Sequence, residues 1–191
     1  MNTSNIALKE WATVIEALAL GWQLLIVRKG GIRDPKGAFQ LQHREFLLYP
    51  TWEHQREAMI RSVRPEFHER FNGLLSQPQG LDAVSLRVYA GVAWCGEIKD
   101  PARLAPLSDY HIWTREFLEE RMRYRPQSPT LVAVLRAYTL PDPVRHPVRP
   151  EYAGCKSWVT LGEEIPIEKA VPVMDNARFR RALEAITSKM E

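Results

Sequence analysis

The segment Thr130-Leu131-Val132-Ala133-Val134-Leu135-Arg136-Ala137-Tyr138-Thr139-Leu140 contains the clearest strand pattern in this sequence. Even-numbered residues from 132 to 138 and odd-numbered residues from 131 to 137 occupy opposite faces, because side chains alternate along a strand. Residues 83–89 alternate in the same way, with Val84, Leu86 and Val88 on one face. The two segments therefore predict two β-strands.

The remaining chain adds shorter strands, helices and loops. Near-continuous apolar residues predict a central strand over 22–29, ended by Gly30-Gly31. Other strands are expected at 45–49, 92–98 and 158–161. Helices are expected at 6–20, 53–63, 66–76 and 114–124, and after Asp175, which can cap a C-terminal helix. Prolines predict irregular structure over 141–150. They are Pro141, Pro143, Pro147 and Pro150.

This order of elements predicts the fold class. Helices separate the strands without strict alternation, which favours an α+β domain on a mixed or antiparallel sheet with flanking helices. The chain has 191 residues, a length that suits one domain. We expect one α+β domain over residues 1–162. Residues 163–191 are expected to form a C-terminal extension with a docked or loose helix.

Composition narrows the class of protein. The net charge of +3 permits a polyanionic partner without requiring one. No apolar run approaches the roughly 20 residues of a membrane-spanning helix, and the first residues lack signal-peptide features. We therefore expect no membrane association and a cytoplasmic protein. Two cysteines, Cys95 and Cys155, are too few for an all-thiolate zinc site within one chain. We expect no metal and no cofactor in the leading interpretation.

Glycine, arginine, histidine and tryptophan concentrate in four short polar segments beside predicted strands and helices, at residues 28–33, 49–55, 111–114 and 154–158. In the first, two glycines expose backbone N–H groups next to cations, an arrangement that can hold phosphate. A solvated glycine turn is the alternative. The candidate residues of this segment are Arg28, Lys29, Gly30, Gly31 and Arg33.

The other segments supply candidates for contacting a base. His54 can carry a proton or donate to a base edge, and Trp113 or Trp158 can stack on a base. Helix capping and core packing are the alternatives for these residues. The candidates are Tyr49, Thr51, His54, Gln55, His111, Trp113, Lys156, Ser157 and Trp158. Cys155 beside Lys156 is a further thiol to consider.

A second type of site involves Glu97 and Lys99, which share one face of a strand. If the chain turns at Ala90-Gly91, Asp82 lies near both. Two carboxylates and a lysine around Mg²⁺ are the arrangement of PD-(D/E)xK-type nucleases. A solvated strand end is the alternative interpretation of the same residues.

Five segments resemble an uncharacterised bacterial domain-of-unknown-function family, and the resemblance covers about residues 6–162. They are Ala7–Trp11, Leu25–Ile32, Tyr49–Gln55, His111–Thr114 and Tyr152–Trp158. This family resemblance implies no particular activity.

The chain also resembles ASCH and related PUA-like domains. The resemblance rests on Gly21-Trp22-Gln23 before a strand ending at Arg28-Lys29, the Gly96–Lys99 strand and the Leu135–Leu140 strand. It implies a small, partly open β-barrel that binds RNA, bases or nucleotides in a cleft at the barrel edge. The Gly-x-Lys spacing of the ASCH opening is replaced here by Gly21-x-Gln23, which puts the identity of the ligand in doubt.

These observations favour a non-enzymatic binding module of PUA-like type that holds RNA or a nucleotide in a basic cleft. Two alternatives stay open. One is a metal-dependent nuclease that uses Asp82, Glu97 and Lys99, and the other is a protein-interaction scaffold. The sequence leaves the oligomeric state open.

Overall fold

The computed structural model of the chain describes residues 2–29 and 39–190. Within these ranges the strands are β1 (Thr3–Trp11), β2 (Leu25–Arg28), β3 (Glu45–Thr51), β4 (Ala83–Ile98), β5 (Thr130–Pro147), β6 (Trp158–Pro166) and β7 (Val171–Pro172). The α-helices are α1 (Ala12–Ala19), α2 (Phe67–Phe71), α3 (Arg115–Arg123) and α4 (Asn176–Met190). Short 3₁₀ segments lie at Glu57–Met59, Asn72–Leu74, Pro101–Tyr110 and Pro150–Tyr152.

The strands form one mixed sheet in the order β2-β5-β4-β3-β1-β6, and β7 pairs with β5. Strands β1 and β3 are parallel, whereas the other described pairs are antiparallel. The predicted α+β class with a mixed sheet and flanking helices is therefore confirmed. The parallel pair brings the C-terminal ends of β1 and β3 to the same edge, with Trp11 opposite Thr51.

The long β4–β5 ribbon is the centre of the sheet, and two predictions about it are wrong. Gly91 does not mark a turn, because it pairs with Arg136 inside a continuous β4. Strand β5 also continues through the proline-rich segment to Pro147. The pairing shifts between Leu86 and Val88, so that residues 140–143 form a bulge without ladder partners. Proline is tolerated there because its missing N–H is not needed.

Strand β1 occupies much of the segment that was predicted as a helix over 6–20. The helical spacing begins at Trp11, and α1 starts at the next residue. The preceding residues pair with β3 on one side and with β6 on the other. Sheet pairing on both sides overrides the weak local preference for helix, so that part of the prediction was wrong.

The two helices predicted at 53–63 and 66–76 are also largely absent. His54 has a φ of 61°, a left-handed conformation that interrupts a helix. The Gln55 side chain donates to the carbonyls of Leu74 and Leu75 at 2.6 and 3.1 Å. The segment is thus fixed as a folded loop, and the helical part of the second prediction is limited to Phe67–Phe71 and one 3₁₀ turn.

The caps predicted for the later helices are confirmed. Thr114 Oγ1 accepts the Phe117 N–H at 3.2 Å at the start of α3, and Asp175 Oδ1 accepts the Arg178 N–H at 2.8 Å at the start of α4. Helix α4 buries Phe179, Ile186 and Met190 in the main apolar core. The boundary expected at residue 162 lies inside β6, and the division into two regions stays a prediction.

In the part of the chain that the structure describes, buried apolar side chains form two clusters. The larger one includes residues of α1, β2, α3 and α4, and the smaller one includes Leu47, Leu86 and Val159. Within residues 2–29 and 39–190, no helix has the length and apolar character needed to cross a membrane.

Candidate ligand-binding cleft

A cleft of about 780 Å³ lies beside the C-terminal ends of β1, β2 and β3. Helix α3 and the loop at 155–157 form the rest of its wall. Among the described residues, its lining has seven lysine and arginine side chains against three glutamates, which gives this part of the lining an excess of positive charge. The lining residues are Lys9, Glu10, Trp11, Arg28, Lys29, Thr51, Glu53, His54, Arg56, Phe117, Glu120, Arg121, Arg123, Tyr124, Cys155, Lys156 and Ser157.

Lys9 holds together two loops that form one side of the cleft, one at Glu53 and the other at 152–154. Its buried ammonium donates to the carbonyls of Tyr152 and Gly154, both at 2.9 Å, and to Glu53 Oε2 at 3.1 Å. Glu53 Oε1 also accepts the Gly154 N–H at 3.1 Å. The ammonium has three protons and all are used. Lys9 therefore holds the two loops together and has no donor left for a ligand.

The first candidate segment contributes Arg28 and Lys29 to the cleft. Arg28 donates to Glu10 Oε2 at 3.2 Å and to the Lys9 carbonyl at 3.1 Å. Lys29 donates to the Met122 carbonyl at 2.6 Å, and burial lowers the pKa of its ammonium. Both side chains are held by hydrogen bonds within the protein. They therefore contribute positive charge to the cleft from fixed positions.

Arg121 differs from the other cations of the cleft. Its guanidinium stacks over the Phe117 ring at 5.0 Å and, within the described part of the chain, donates no hydrogen bond. Burial lowers the pKa of Arg121, and the neighbouring Arg28 lowers it further, although Glu10 and Glu120 act in the opposite direction. A partly desolvated guanidinium without an acceptor is suited to receive an anion from outside the protein.

The rim of the cleft adds further charge and an aromatic ring. Arg56 pairs with Glu120 at 2.6 Å, and Arg123, the last residue of α3, is exposed. Lys156 donates to the Glu151 carbonyl at 2.7 Å. Tyr124 is 44% exposed, a large value for an aromatic side chain. The Arg125 guanidinium lies over its ring, 5.3 Å from the ring centroid.

His54 and Cys155 meet at the rim, although they are 101 residues apart in the sequence. His54 Nε2 lies 3.6 Å from Cys155 Sγ, and both side chains are exposed. The left-handed backbone of His54 and the Glu53–Gly154 hydrogen bond place the two groups opposite each other. The geometry gives a thiol and a base within contact distance.

The family match covers residues 7–185 and has the description "Domain of unknown function (DUF1802)". The chain belongs to this family. The expected family resemblance is confirmed, and the match extends past residue 162. No curated protein matches the DUF1802 chain in sequence.

The DUF1802 chain is also similar to solved structures of ASCH from Zymomonas mobilis. The protein itself matches at 9% identity and a TM-score of 0.46, over 94% of this chain and 93% of that one. A mutant of the same protein matches at 11% identity and a TM-score of 0.46, over 83% of this chain and 88% of that one. The expected likeness to ASCH domains is therefore found.

The cleft of the DUF1802 domain includes six of the residues proposed from sequence. They are Arg28, Lys29, Thr51, His54, Lys156 and Ser157. Gly30, Gly31 and Arg33 lie outside the described residues. Thr51 accepts the Glu53 N–H at 3.2 Å, so its hydroxyl shapes the turn that presents His54.

Four other candidates are directed into the protein interior or into local structure. His111 and Trp113 are 3% and 2% exposed, and their rings pack in the core with centroids 5.5 Å apart and planes tilted by 32°. Burial lowers the pKa of His111 to about 4, and Arg61 contributes further. Tyr49 is buried in the smaller cluster, where burial raises its pKa to about 12. Gln55 binds the carbonyls of Leu74 and Leu75.

Trp158 also lies away from the cleft. Its ring packs edge-on against Phe46 at 5.0 Å, and its Nε1 donates to the Gln40 carbonyl at 3.0 Å. The structure thus gives Tyr49, Gln55, His111, Trp113 and Trp158 packing or hydrogen-bonding partners and does not bring them to the cleft.

The arrangement proposed for a nuclease is wrong. Asp82 and Glu97 lie near opposite ends of β4, next to the pairs Ala83–Pro147 and Glu97–Leu131. Fifteen residues of extended strand have a contour length of roughly 50 Å, so one Mg²⁺ cannot contact both carboxylates. Asp82 instead accepts two hydrogen bonds from Arg145 at 2.8 Å, which lower its pKa. Among the described residues, no cluster of histidine, cysteine and acidic groups fits a metal.

Helix α3 is the part of the site that sequence reasoning missed. Its residues Phe117, Arg121 and Arg123 carry the aromatic wall and the cations of the cleft. In the sequence these cations alternate with glutamates, which is typical of a solvated helix. The available signal was that Phe117 and Arg121 are four residues apart, so both lie on one face of the helix.

Proposed function

We propose that the DUF1802 domain is a non-enzymatic binding module that holds RNA or a nucleotide in the basic cleft. The proposal rests above all on Arg121, a partly desolvated guanidinium without a hydrogen-bond acceptor in the described part of the chain. Phosphate oxygens supply the acceptors that a guanidinium fork prefers. Arg28 and Lys29 line the same cleft, and their positive charges attract a phosphate.

The shape of the cleft favours a phosphate attached to a flat group. Phosphate alone would use the cations and leave the aromatic rim exposed. Tyr124, with 44% of its side chain exposed, borders the same cleft, and base stacking on an aromatic ring contributes about 1–3 kcal/mol. We place phosphate near Arg121 and the base on the face of Tyr124 opposite the Arg125 guanidinium, with Arg123 and Lys156 contacting neighbouring phosphates.

The test is a titration of a fluorescein-labelled RNA 12-mer of mixed sequence, followed by anisotropy at 50 and 200 mM NaCl. If Arg121, Arg123 and Lys156 each neutralise one phosphate, the single-strand salt relation predicts affinity about 20-fold weaker at the higher salt. A DNA 12-mer and ATP serve as competitors, which separates oligonucleotide from mononucleotide binding.

The control is Arg145→Gln, since Arg145 pairs with Asp82 and does not line the cleft. We expect this variant to bind as tightly as the unaltered protein, whereas Tyr124→Ala binds less tightly by about the free energy of one stacking contact. If the protein binds none of RNA, DNA and ATP at 50 mM NaCl, the proposed function is refuted.

A further inference from the structure

Cys155 and His54 form a pair of groups that RNA or nucleotide binding does not require. The thiol sulfur lies 3.6 Å from His54 Nε2. The tautomer with its proton on Nδ1 leaves Nε2 free to accept the thiol proton. A cysteine next to a base is the arrangement that generates a nucleophilic thiolate.

The surrounding structure holds the two groups in place. Glu53 precedes His54, and its carboxylate accepts the N–H of Gly154, the residue before Cys155, at 3.1 Å. The Glu53 carbonyl also accepts Trp11 Nε1 at 3.1 Å. The buried ammonium of Lys9 joins both loops. The thiol and the imidazole are therefore kept together by main-chain and buried contacts, although each is exposed.

The charge around the pair selects among small thiol-reactive molecules. Cys155 borders the cleft with its excess of cations, and Lys156 is the next residue. A cleft of one sign raises the local concentration of oppositely charged reactants. A volume of about 780 Å³ leaves room for a molecule of several hundred daltons at the thiol.

We propose that Cys155 is a thiol-modification site for small anionic disulfides, with His54 as its base. The thiol proton passes to His54 Nε2, and the thiolate attacks one sulfur of the disulfide. A new S–S bond to Cys155 forms while the original S–S bond breaks, and the departing thiolate leaves with the electron pair and takes up a proton. Cys155 is oxidised and the departing half of the reagent is reduced.

The reaction is measured with disulfide probes of different charge. The dianionic reagent 5,5′-dithiobis(2-nitrobenzoate) and the neutral reagent 2,2′-dithiodipyridine both release a coloured thiol. The protein carries Cys95→Ser, so that Cys155 is its one thiol. A synthetic peptide of residues 152–158 has the same cysteine and lysine without the fold, and it corrects for the intrinsic reactivity of each reagent.

We expect the anionic-to-neutral rate ratio to be about tenfold higher for the protein than for the peptide, and to fall towards the peptide value at 0.5 M NaCl. Equal ratios for protein and peptide would overturn the proposal. If Cys95→Ser fails to fold, peptide mapping of the unaltered protein after brief exposure replaces it. Modification of Cys155 well ahead of Cys95 supports the proposal, and equal modification contradicts it.

Three variants separate the parts of the mechanism. His54→Ala is expected to slow reaction with both reagents several-fold, while the exposed His68→Ala outside the cleft leaves both rates unchanged. Arg121→Gln is expected to slow only the anionic reagent. An unchanged rate in His54→Ala would remove the imidazole from the mechanism. No assay here contains RNA or a nucleotide, so the result does not depend on the proposed function.

Discussion

Replacement of Arg121 by methionine separates binding from stability. Methionine keeps an unbranched apolar side chain against Phe117 and removes the guanidinium. A hydrogen-bonded contact that involves a charged group contributes about 1.5–3 kcal/mol. Loss of one such contact to phosphate therefore predicts roughly 10- to 150-fold weaker binding of the RNA 12-mer.

The same change should not destabilise the folded protein. Burial and the nearby Arg28 both lower the pKa of Arg121. Its positive charge is therefore unfavourable for the folded protein without a ligand. Removing a charge that is held for binding typically leaves stability equal or higher. We expect the free energy of unfolding, measured by urea denaturation, to be unchanged or raised by up to about 1 kcal/mol.

Arg115→Met is the matched control on the same helix. Arg115 is 85% exposed, pairs with Glu119 and does not line the cleft. We expect neither its RNA affinity nor its unfolding free energy to change appreciably, because exposed pairs contribute little. A clear loss of stability in Arg121→Met, with RNA affinity intact, would show that Arg121 is a structural residue and refute this reasoning.

Three further changes test the packing and electrostatics of the fold. Because the pKa of buried His111 is about 4 and the unfolded value is 6.5, the unfolded chain binds more protons between these pH values. The free energy of unfolding should therefore fall by about 3 kcal/mol as the pH is lowered from 6.5 to 4. Urea denaturation at several pH values measures this fall. His111→Leu should show a weaker pH dependence. Gly96→Ala should destabilise the protein by about 1–3 kcal/mol, since its Cβ would meet Trp94 Cη2 at 2.5 Å. Gly162→Ala should have a smaller effect on the melting temperature, because its Cβ meets the end of the flexible Arg149 side chain.

Local sequence patterns correctly predicted those strands and helix starts that depend on neighbouring residues. The alternation in 83–89 and 130–140 predicted parts of β4 and β5. Thr114 and Asp175 marked the starts of α3 and α4, because a capping side chain bonds within three residues. The prediction over 6–20 failed where pairing with β3 and β6 decided the conformation.

The candidate site was only partly accessible to the same reasoning. Arg28, Lys29 and His54 were chosen from their neighbours in the sequence, and they line one cleft. His111 and Trp113 carry equally suitable groups but are buried in the core. Burial depends on which elements pack together, and the polarity of a short segment does not report it.

Local sequence patterns were enough to predict the α+β class, parts of the main strands and two helix caps, because alternation, apolar runs and capping act over a few residues. The packing of whole elements brings Arg121 and Arg28 into one cleft and His54 next to Cys155. These encounters depend on the parallel pairing of β1 with β3 and on the Lys9 contacts between distant loops. Contacts between residues about a hundred positions apart are set by the packing of whole elements, which no local pattern of residues encodes.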